Sequence, residues 1–304
     1  MAFLGRRLFY SFFSLLGLLV LVFFFARLTG DPTDIYLPLE ADEEMRANFR
    51  EAHGFDDSII IQLGAYFRGL LTLDMGDSLW LKRPALPLVL ERLPATLILA
   101  FTCMALSILF AIVLGILAAI NSNSRLDRGI QVITLFGASV PDFWLGLVLI
   151  LVFSVSLGLL PTSGTGGPLH LVLPVLTLMA RPLGVLTQLV RTTMQEQLGA
   201  EYVRTAYAKG FGVWAVQFKH ALKNALIPVV TVAGDQLAHL VNGAVVIETV
   251  FGWPGIGKLS IDAIQQRDFA VLQAAILVIA LLIFAINFLL DVLYTVIDPR
   301  IRVG

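Results

Sequence analysis

The residues best placed to do chemistry in this sequence are polar groups embedded in apolar runs. Thr231, Asp235, His239 and Asn242 recur at steps of four, four and three, which puts them on one face of a helix. Asn287, Asp291 and Thr295 share a face in the last apolar run, and Arg181 lies in an earlier one. Ionisable side chains in such runs are costly and face a cavity or one another. Along ideal helices Arg181 and Asp235 each lie about 15 Å from an end of their run, near a bilayer midplane, whereas Asp291 is only about 9 Å deep. Arg181 and Asp235 are therefore expected to pair or to share a polar cavity. A carboxylate dyad of Asp235 and Asp291 for peptide cleavage is disfavoured by a depth difference of about 6 Å. No Cys/His cluster has metal-ligand spacing, the single Cys103 has no partner for an internal bridge, and no Gly-x-x-x-x-Gly-Lys-Ser/Thr loop is present. The sequence thus offers no catalytic set and no metal site.

The elements that must position these groups are membrane spans. Of 304 residues, 58% are apolar and 14% charged, with a net charge of −1; soluble proteins have roughly 45–50% and about 25%. Mean hydropathy is +0.86. A water-soluble fold has too few charges to cover that much apolar surface, and nothing in the charge pattern suits nucleic acid. Six runs are long enough to cross about 30 Å of hydrocarbon: Leu8–Leu28, Ala95–Ile120, Ile130–Leu157, Leu171–Thr192, Ala225–Val250 and Val271–Ile297. They are continuous rather than alternating, so the expectation is an all-α polytopic protein with six transmembrane helices. The first run follows Arg6 and Arg7 but is longer than a signal-peptide core and lacks an Ala-x-Ala site, so it reads as a retained anchor. Arg6, Arg7, Arg125, Arg128, Arg191, Arg204, Lys209, Lys219, Lys223, Arg300 and Arg302 flank one side, and the 158–170 loop has no Lys or Arg. Both termini are therefore expected in the cytoplasm.

The expected organisation is an N-terminal helix over 1–28, an extracytoplasmic insertion over 29–93, a five-helix core over 94–297 and a tail over 298–304. In the insertion, 42–62 could form one helix capped by Asp42, and 59–73 is apolar enough to lie on the membrane surface. The insertion either caps the helices on the outer face, or meets an external partner or gates the outer mouth. The cytoplasmic loop 193–224 reads as a basic helix–Gly–helix, with Gly210 and Gly212 permitting a turn. Either a plain connector or a docking element fits that pattern. Beyond 248, Gly252, Gly255 and Gly257 around Trp253-Pro254 allow a tight turn, with Trp253 at headgroup level.

At the loop the sequence resembles the membrane subunits of ABC importers, which carry a Glu-Ala-Ala-x-x-x-Gly motif. Here it reads Arg204-Thr205-Ala206-x-x-x-Gly210, the variant of the dipeptide/oligopeptide/nickel permease family. Thr29-Gly-Asp-Pro32, Leu93-Pro-Ala-Thr96, Ser139-Val-Pro-Asp-Phe-Trp-Leu-Gly146, Leu173-Pro174, His220 to Pro228, Glu248 to Gly257, Arg267-Asp268 and Asp298 to Arg302 extend the likeness over nearly the whole chain. The resemblance implies a type I ABC importer permease fold in the bacterial cytoplasmic (inner) membrane. Its implied partners are a second homologous permease subunit, two cytoplasmic ATPase subunits that bind ATP and Mg, and an extracytoplasmic substrate-binding protein. Glu201, Tyr202, Val203, Arg204, Thr205, Ala206, Ala208, Lys209, Gly210 and Phe211 would form the ATPase-coupling loop. Arg181, Thr231, Asp235, His239, Asn242, Asn287 and Asp291 are candidates to line the translocation pathway, and Glu248, Trp253, Pro254 and Gly255 an outer gate. Di- or oligopeptides are the leading substrate class, with nickel or another small solute as the alternative within the family. A secondary transporter is the alternative outside it, though no pair of broken helices marks inverted repeats.

Overall fold

The computed structural model describes residues 2–28, 32–38 and 40–297, and its regular elements are helices. The quoted Thr29–Asp31 and the tail from Asp298 lie outside the described residues. Helix α1 spans Ala2–Leu28, α2 Thr33–Tyr36, α3 Glu43–Ala52 and α4 Ile59–Thr72. Asp42 caps α3, accepting the Met45 amide at 2.8 Å. The single helix expected over 42–62 is instead two, because Gly54 takes φ +65° and His53–Ser58 leave the helical path. α4 exposes Ile60, Ile61 and Leu71 while burying Tyr66, the pattern of a helix lying in an interface.

Helix α5 covers Ala85–Ile120, α6 Arg125–Ser139 and α7 Asp142–Leu149, continued by a π-helical turn over Ile150–Ser156. The run expected as one span over 130–157 is bent by 107° between α6 and α7. Pro141 is the cause: the residue before a proline is pushed out of the helical region, and Val140 indeed sits at φ −79°, ψ 137°. Helix α8 spans Pro168–Leu198 with Pro168 in its first turn, where its missing N–H costs nothing. Helix α9 is Glu201–Ala208, a π-helical turn covers Ala215–Ala221, α10 is Leu222–Val250, α11 Ile256–Gln265 and α12 Phe269–Ile297.

Among the described residues, four helical stretches are long and apolar enough to cross a membrane: Ala85–Ile120, Pro168–Leu198, Ala215–Val250 and Phe269–Leu290. The bent pair α6–α7 makes a fifth if counted as one span, and Phe13–Leu28 is a shorter apolar stretch. The six expected runs thus correspond to these four stretches, the bent pair and helix α1.

The chain divides into two compact units, residues 1–96 with 254–284, and residues 97–253 with 285–304. In the first, Ala85, Leu88 and Val89 of α5 pack with Ile256, Leu259 and Ala263 of α11 and with Val271, Ala274, Ala275 and Val278 of α12. Thr96 adds a polar tie, its hydroxyl accepting the Ile256 amide at 2.9 Å and so capping α11. Asp268 is fully buried between α11 and α12. Its carboxylate accepts the Ser78 hydroxyl at 2.5 Å and the Trp80 amide at 3.3 Å, fastening the segment ahead of α5.

In the second unit α8 is the central helix. A Cβ at its Gly184 would come within 2.5 Å of the Thr134 carbonyl oxygen, so only glycine allows α6 to approach this closely. Met194 of α8, Ala119 of α5 and Ala225 of α10 form a small core that also buries Val203 and Ala206 of α9.

Candidate functional site

The sequence from Ala206 to Gly210 explains how the loop turns. Counting back from the end of α9, Ala206 supplies the carbonyl that accepts the Phe211 amide at 3.2 Å, and Tyr207 the carbonyl that accepts the Gly210 amide at 2.9 Å. These two bonds with a left-handed residue between them form a Schellman cap. Gly210 is that residue, at φ +82°, where a side chain would be strained. The Ala-x-x-x-Gly spacing is thus the spacing of a helix stop: the alanine is buried for packing and the glycine reverses the chain.

Val203 and Ala206 are buried, and they set the orientation of α9. The remaining expected loop residues, Glu201, Tyr202, Arg204, Thr205, Ala208, Lys209 and Phe211, are exposed. Glu201 occupies the first turn of α9, where its charge suits the helix dipole. The Tyr202 hydroxyl donates to Gln197 Oε1 at 2.7 Å, tying α9 to the end of α8. After the turn Trp214 is 76% exposed and stacks on Phe218 at 4.8 Å between ring centroids. Tyr207, Phe211, Trp214 and Phe218 thus stand exposed among Arg204, Lys209, Lys219 and Lys223. Exposed aromatic side chains and arginine are residue types enriched at protein–protein contacts.

The second set lies on α10. Thr231, Asp235, His239 and Asn242 are all exposed, while Val229, Ala233, Gly234, Leu240 and Val241 are buried on the opposite side. Asp235 and His239 are neighbours one turn apart, with 3.6 Å between Oδ2 and Nε2. The expected link between Arg181 and Asp235 is not made among the described residues. Arg181 is exposed on α8 and interacts electrostatically with Asp142, at the first position of α7. Asp142 Oδ1 is buried without a hydrogen-bond partner. The kink at Pro141 therefore carries a carboxylate that sequence reasoning passed over, although Pro-Asp at a helix start was a readable signal. Asn287 is half-buried on α12; Asp291 lies on the same helix, with its side chain outside the described residues.

The third set behaves differently. Glu248 is fully buried and Trp253 is 8% exposed, so Trp253 is packed inside the protein rather than anchored among headgroups. A second Schellman cap explains this: Gly252 at φ +60° turns the chain so that the Trp253 amide reaches the Glu248 carbonyl at 2.8 Å. Phe251, in the same turn, accepts the Gly164 amide through its carbonyl at 2.8 Å. Pro254 is half-buried, and Gly255 is buried as the N-cap of α11.

Fold and site define a polytopic helical membrane protein with a loop capped at Gly210 and an exposed polar face on α10. Residues 111–303 match the family described as binding-protein-dependent transport system inner membrane component. The chain belongs to that family. It is 39% identical to the di/tripeptide transport system permease protein of Pseudomonas aeruginosa (strain UCBPP-PA14) over 99% of both chains. It is 40% identical to the glutathione transport system permease protein of Salmonella choleraesuis (strain SC-B67) over 95% of both. With the oligopeptide transport system permease protein of Bacillus subtilis (strain 168) it shares 36% over 99% of both. The fold is that of a methionine ABC transporter solved in inward-facing conformations, at TM-score 0.60 and 18% identity, covering 69% of this chain and 96% of that one. The chain is accordingly a membrane-embedded permease subunit of an ABC importer.

Proposed function

We propose that this subunit forms half of the translocation pathway for di- or oligopeptides, working with a second homologous permease subunit. The observation that carries this reading is the exposed polar face of α10. A membrane helix does not present Thr231, Asp235, His239 and Asn242 to hydrocarbon without cost, so this face borders an aqueous path closed on its far side by the second subunit. To the same path we assign Arg181, Asn287 and Asp291. Peptides are favoured as cargo because the relatives quoted above are named for di/tripeptide, glutathione and oligopeptide transport.

The loop 201–211 and the aromatic side chains after it dock on cytoplasmic ATPase subunits, which bind ATP and Mg; this chain does not hydrolyse ATP. Docking couples two equilibria, closure of the ATPases and tilting of the helices, and the rigid cap at Gly210 transmits one to the other. The arginines and lysines around this loop and at both termini support a cytoplasmic location for all three. The segment between α1 and α5 then lies outside, where a substrate-binding protein delivers cargo, and Glu248, Trp253, Pro254 and Gly255 lie toward the outer end of the path.

The test exploits the single cysteine, Cys103, which is fully buried. Phe211→Cys should cross-link, through a short bifunctional thiol reagent, to a cysteine introduced on the docking surface of a co-expressed ATPase subunit, and Leu71→Cys should not. Asn242→Cys should react with a water-soluble thiol reagent in the assembled transporter. Absence of both reactions in an assembled, ATP-hydrolysing complex would overturn the reading.

A further inference from the structure

Within the unit formed by residues 1–96 and 254–284, a groove of about 300 Å3 runs between α1, α11 and α12. Among the described residues its lining is apolar except for Arg267. The packing of α1 explains the groove. Leu19 and Phe23 press one stripe of that helix onto Leu277 of α12. Val22, Phe25 and Ala26 lie on the neighbouring stripe and line the groove together with Leu272 and Ile276 of α12. The short side chains of Ala26 and Ala263 leave the space between the helices unfilled. Phe25 and Ile264, also in the lining, are exposed, so the groove opens outward.

Its direction follows from the helix ends. The span of α12 begins at Phe269, and α1 ends at Leu28. Along the helix axes Ile276 and Val22 each lie about 10 Å inside those ends. Arg267 precedes the first residue of α12 and so stands at the boundary of the membrane. The groove therefore leads from the membrane edge into hydrocarbon, apolar along its length and with a cation at its mouth.

The backbone holds Arg267 there under strain. The Asp268 amide reaches the Ala263 carbonyl at 2.8 Å, and the Arg267 amide reaches the Ile264 carbonyl at 3.1 Å. These bonds form a Schellman cap that ends α11, and its left-handed position is one that glycine usually fills. Here that position is Arg267, at φ +48°. Strained residues of this kind cluster at functional sites. A guanidinium carries five N–H donors in a planar fork that suits phosphate oxygens, enough for a lipid phosphate alongside contacts to protein.

We propose that the groove holds one acyl chain of a phospholipid whose phosphate sits against Arg267. A helix, about 10 Å across with its side chains, is too thick for a space of about 300 Å3, whereas an extended hydrocarbon chain fits. Inside a bilayer apolar burial gives no preference for one chain over its neighbours. The groove therefore supplies the fit, and the bonds from Arg267 to phosphate supply the selectivity.

The experiment is native mass spectrometry of the full chain in detergent, stripped of lipid and titrated with phosphatidylglycerol or with diacylglycerol of the same chains. The wild type should bind a first phosphatidylglycerol at least tenfold more tightly than a second, and at least tenfold more tightly than diacylglycerol. Arg267→Gly suits the left-handed position and removes the cation. It should lose about tenfold or more of the first-step affinity, the loss expected for a hydrogen bond to a charged group. Ile264→Asn alters an exposed wall of the groove and should weaken the same step several-fold. Leu109→Asn, at a similarly exposed position outside the groove, should bind as the wild type does. Equal binding of the two lipids, or wild-type affinity in either groove variant, would overturn the proposal. So would a dimer of the chain that Ile264→Asn dissolves, since a second copy would then be the occupant. Neither transport nor ATP hydrolysis enters the measurement, so its failure and failure of the import reading are separate results.

Discussion

Arg191 grips Asp127 through two hydrogen bonds, Nε to Oδ1 at 2.6 Å and Nη2 to Oδ2 at 2.8 Å. The pair ties the first turn of α6 to α8. Asp127 is 1% exposed, and its oxygens also accept the Asn123 amide at 2.9 Å and Gln131 Nε2 at 2.7 Å. A buried charge is tolerated only when its partner and its remaining hydrogen bonds are supplied, as here. Removing one partner strands the other. Asp127→Ala should cost about 3–5 kcal/mol, read as a lowered melting temperature in detergent. The double variant Asp127→Leu with Arg191→Leu should recover much of that loss. A double variant as unstable as the single one would contradict the pairing account.

Gly210 is the residue whose replacement should separate folding from coupling. Its φ of +82° makes any side chain strained, but a Cβ there would meet nothing within 4 Å. Gly210→Val should therefore cost about 1–2 kcal/mol locally, too little to prevent assembly. Gly210→Asn should be milder, since asparagine tolerates the left-handed region. With the α9 cap strained, peptide-stimulated ATP hydrolysis should fall several-fold in the valine variant and less in the asparagine variant. Equal hydrolysis in all three proteins would count against the loop as the coupling element.

Asp268 should govern local order ahead of α5. Asp268→Ala leaves the buried Ser78 hydroxyl and the part-buried Trp80 amide without their acceptor, and the buried loss is worth about 1–3 kcal/mol. Limited proteolysis should then cut within residues 77–83 at least tenfold faster than in the wild type. Unchanged cleavage would mean that the α5 and α11 packing holds this segment unaided.

Tyr36 gives a pH signature outside the spans. Its hydroxyl donates to the Gln266 carbonyl at 2.8 Å, and burial, with Asp268 adding to it, pushes it up to about 12. An unfolded tyrosine titrates near 10. Between those values the unfolded chain has lost the proton that the folded chain keeps, so stability should fall as pH rises from about 10 to about 12. Tyr36→Phe should flatten that part of the curve, measured as melting temperature against pH. An identical slope in the variant would show that other groups set it.

Much of the fold could be read from the chain because spans announce themselves by length and hydropathy alone. The turn after α9 was readable too, since Ala206 and Gly210 sit at the spacing that a helix stop requires. The break at Pro141 was harder, because an apolar run continues unchanged through it and hydropathy carries no direction. Asp127 escaped notice for a different reason. Between Arg125 and Arg128 it looks like a solvated loop charge, and only its place three residues after the N-cap Ser124 hinted at a structural role. Arg181 and Asp235 were matched by depth, but depth along a helix says nothing about which way a side chain faces. In the fold Arg181 interacts electrostatically with Asp142, and Asp235 lies 3.6 Å from His239.

The central claim is that this chain moves peptides only as part of an ATP-driven assembly. Its most direct test is uptake of a labelled dipeptide into proteoliposomes holding this chain with its second permease subunit and ATPase subunits, binding protein outside and ATP inside. The account predicts uptake that requires ATP and the binding protein, and that falls at least tenfold with Gly210→Val. Uptake by this chain alone, driven by an ion gradient and indifferent to ATP, would contradict it.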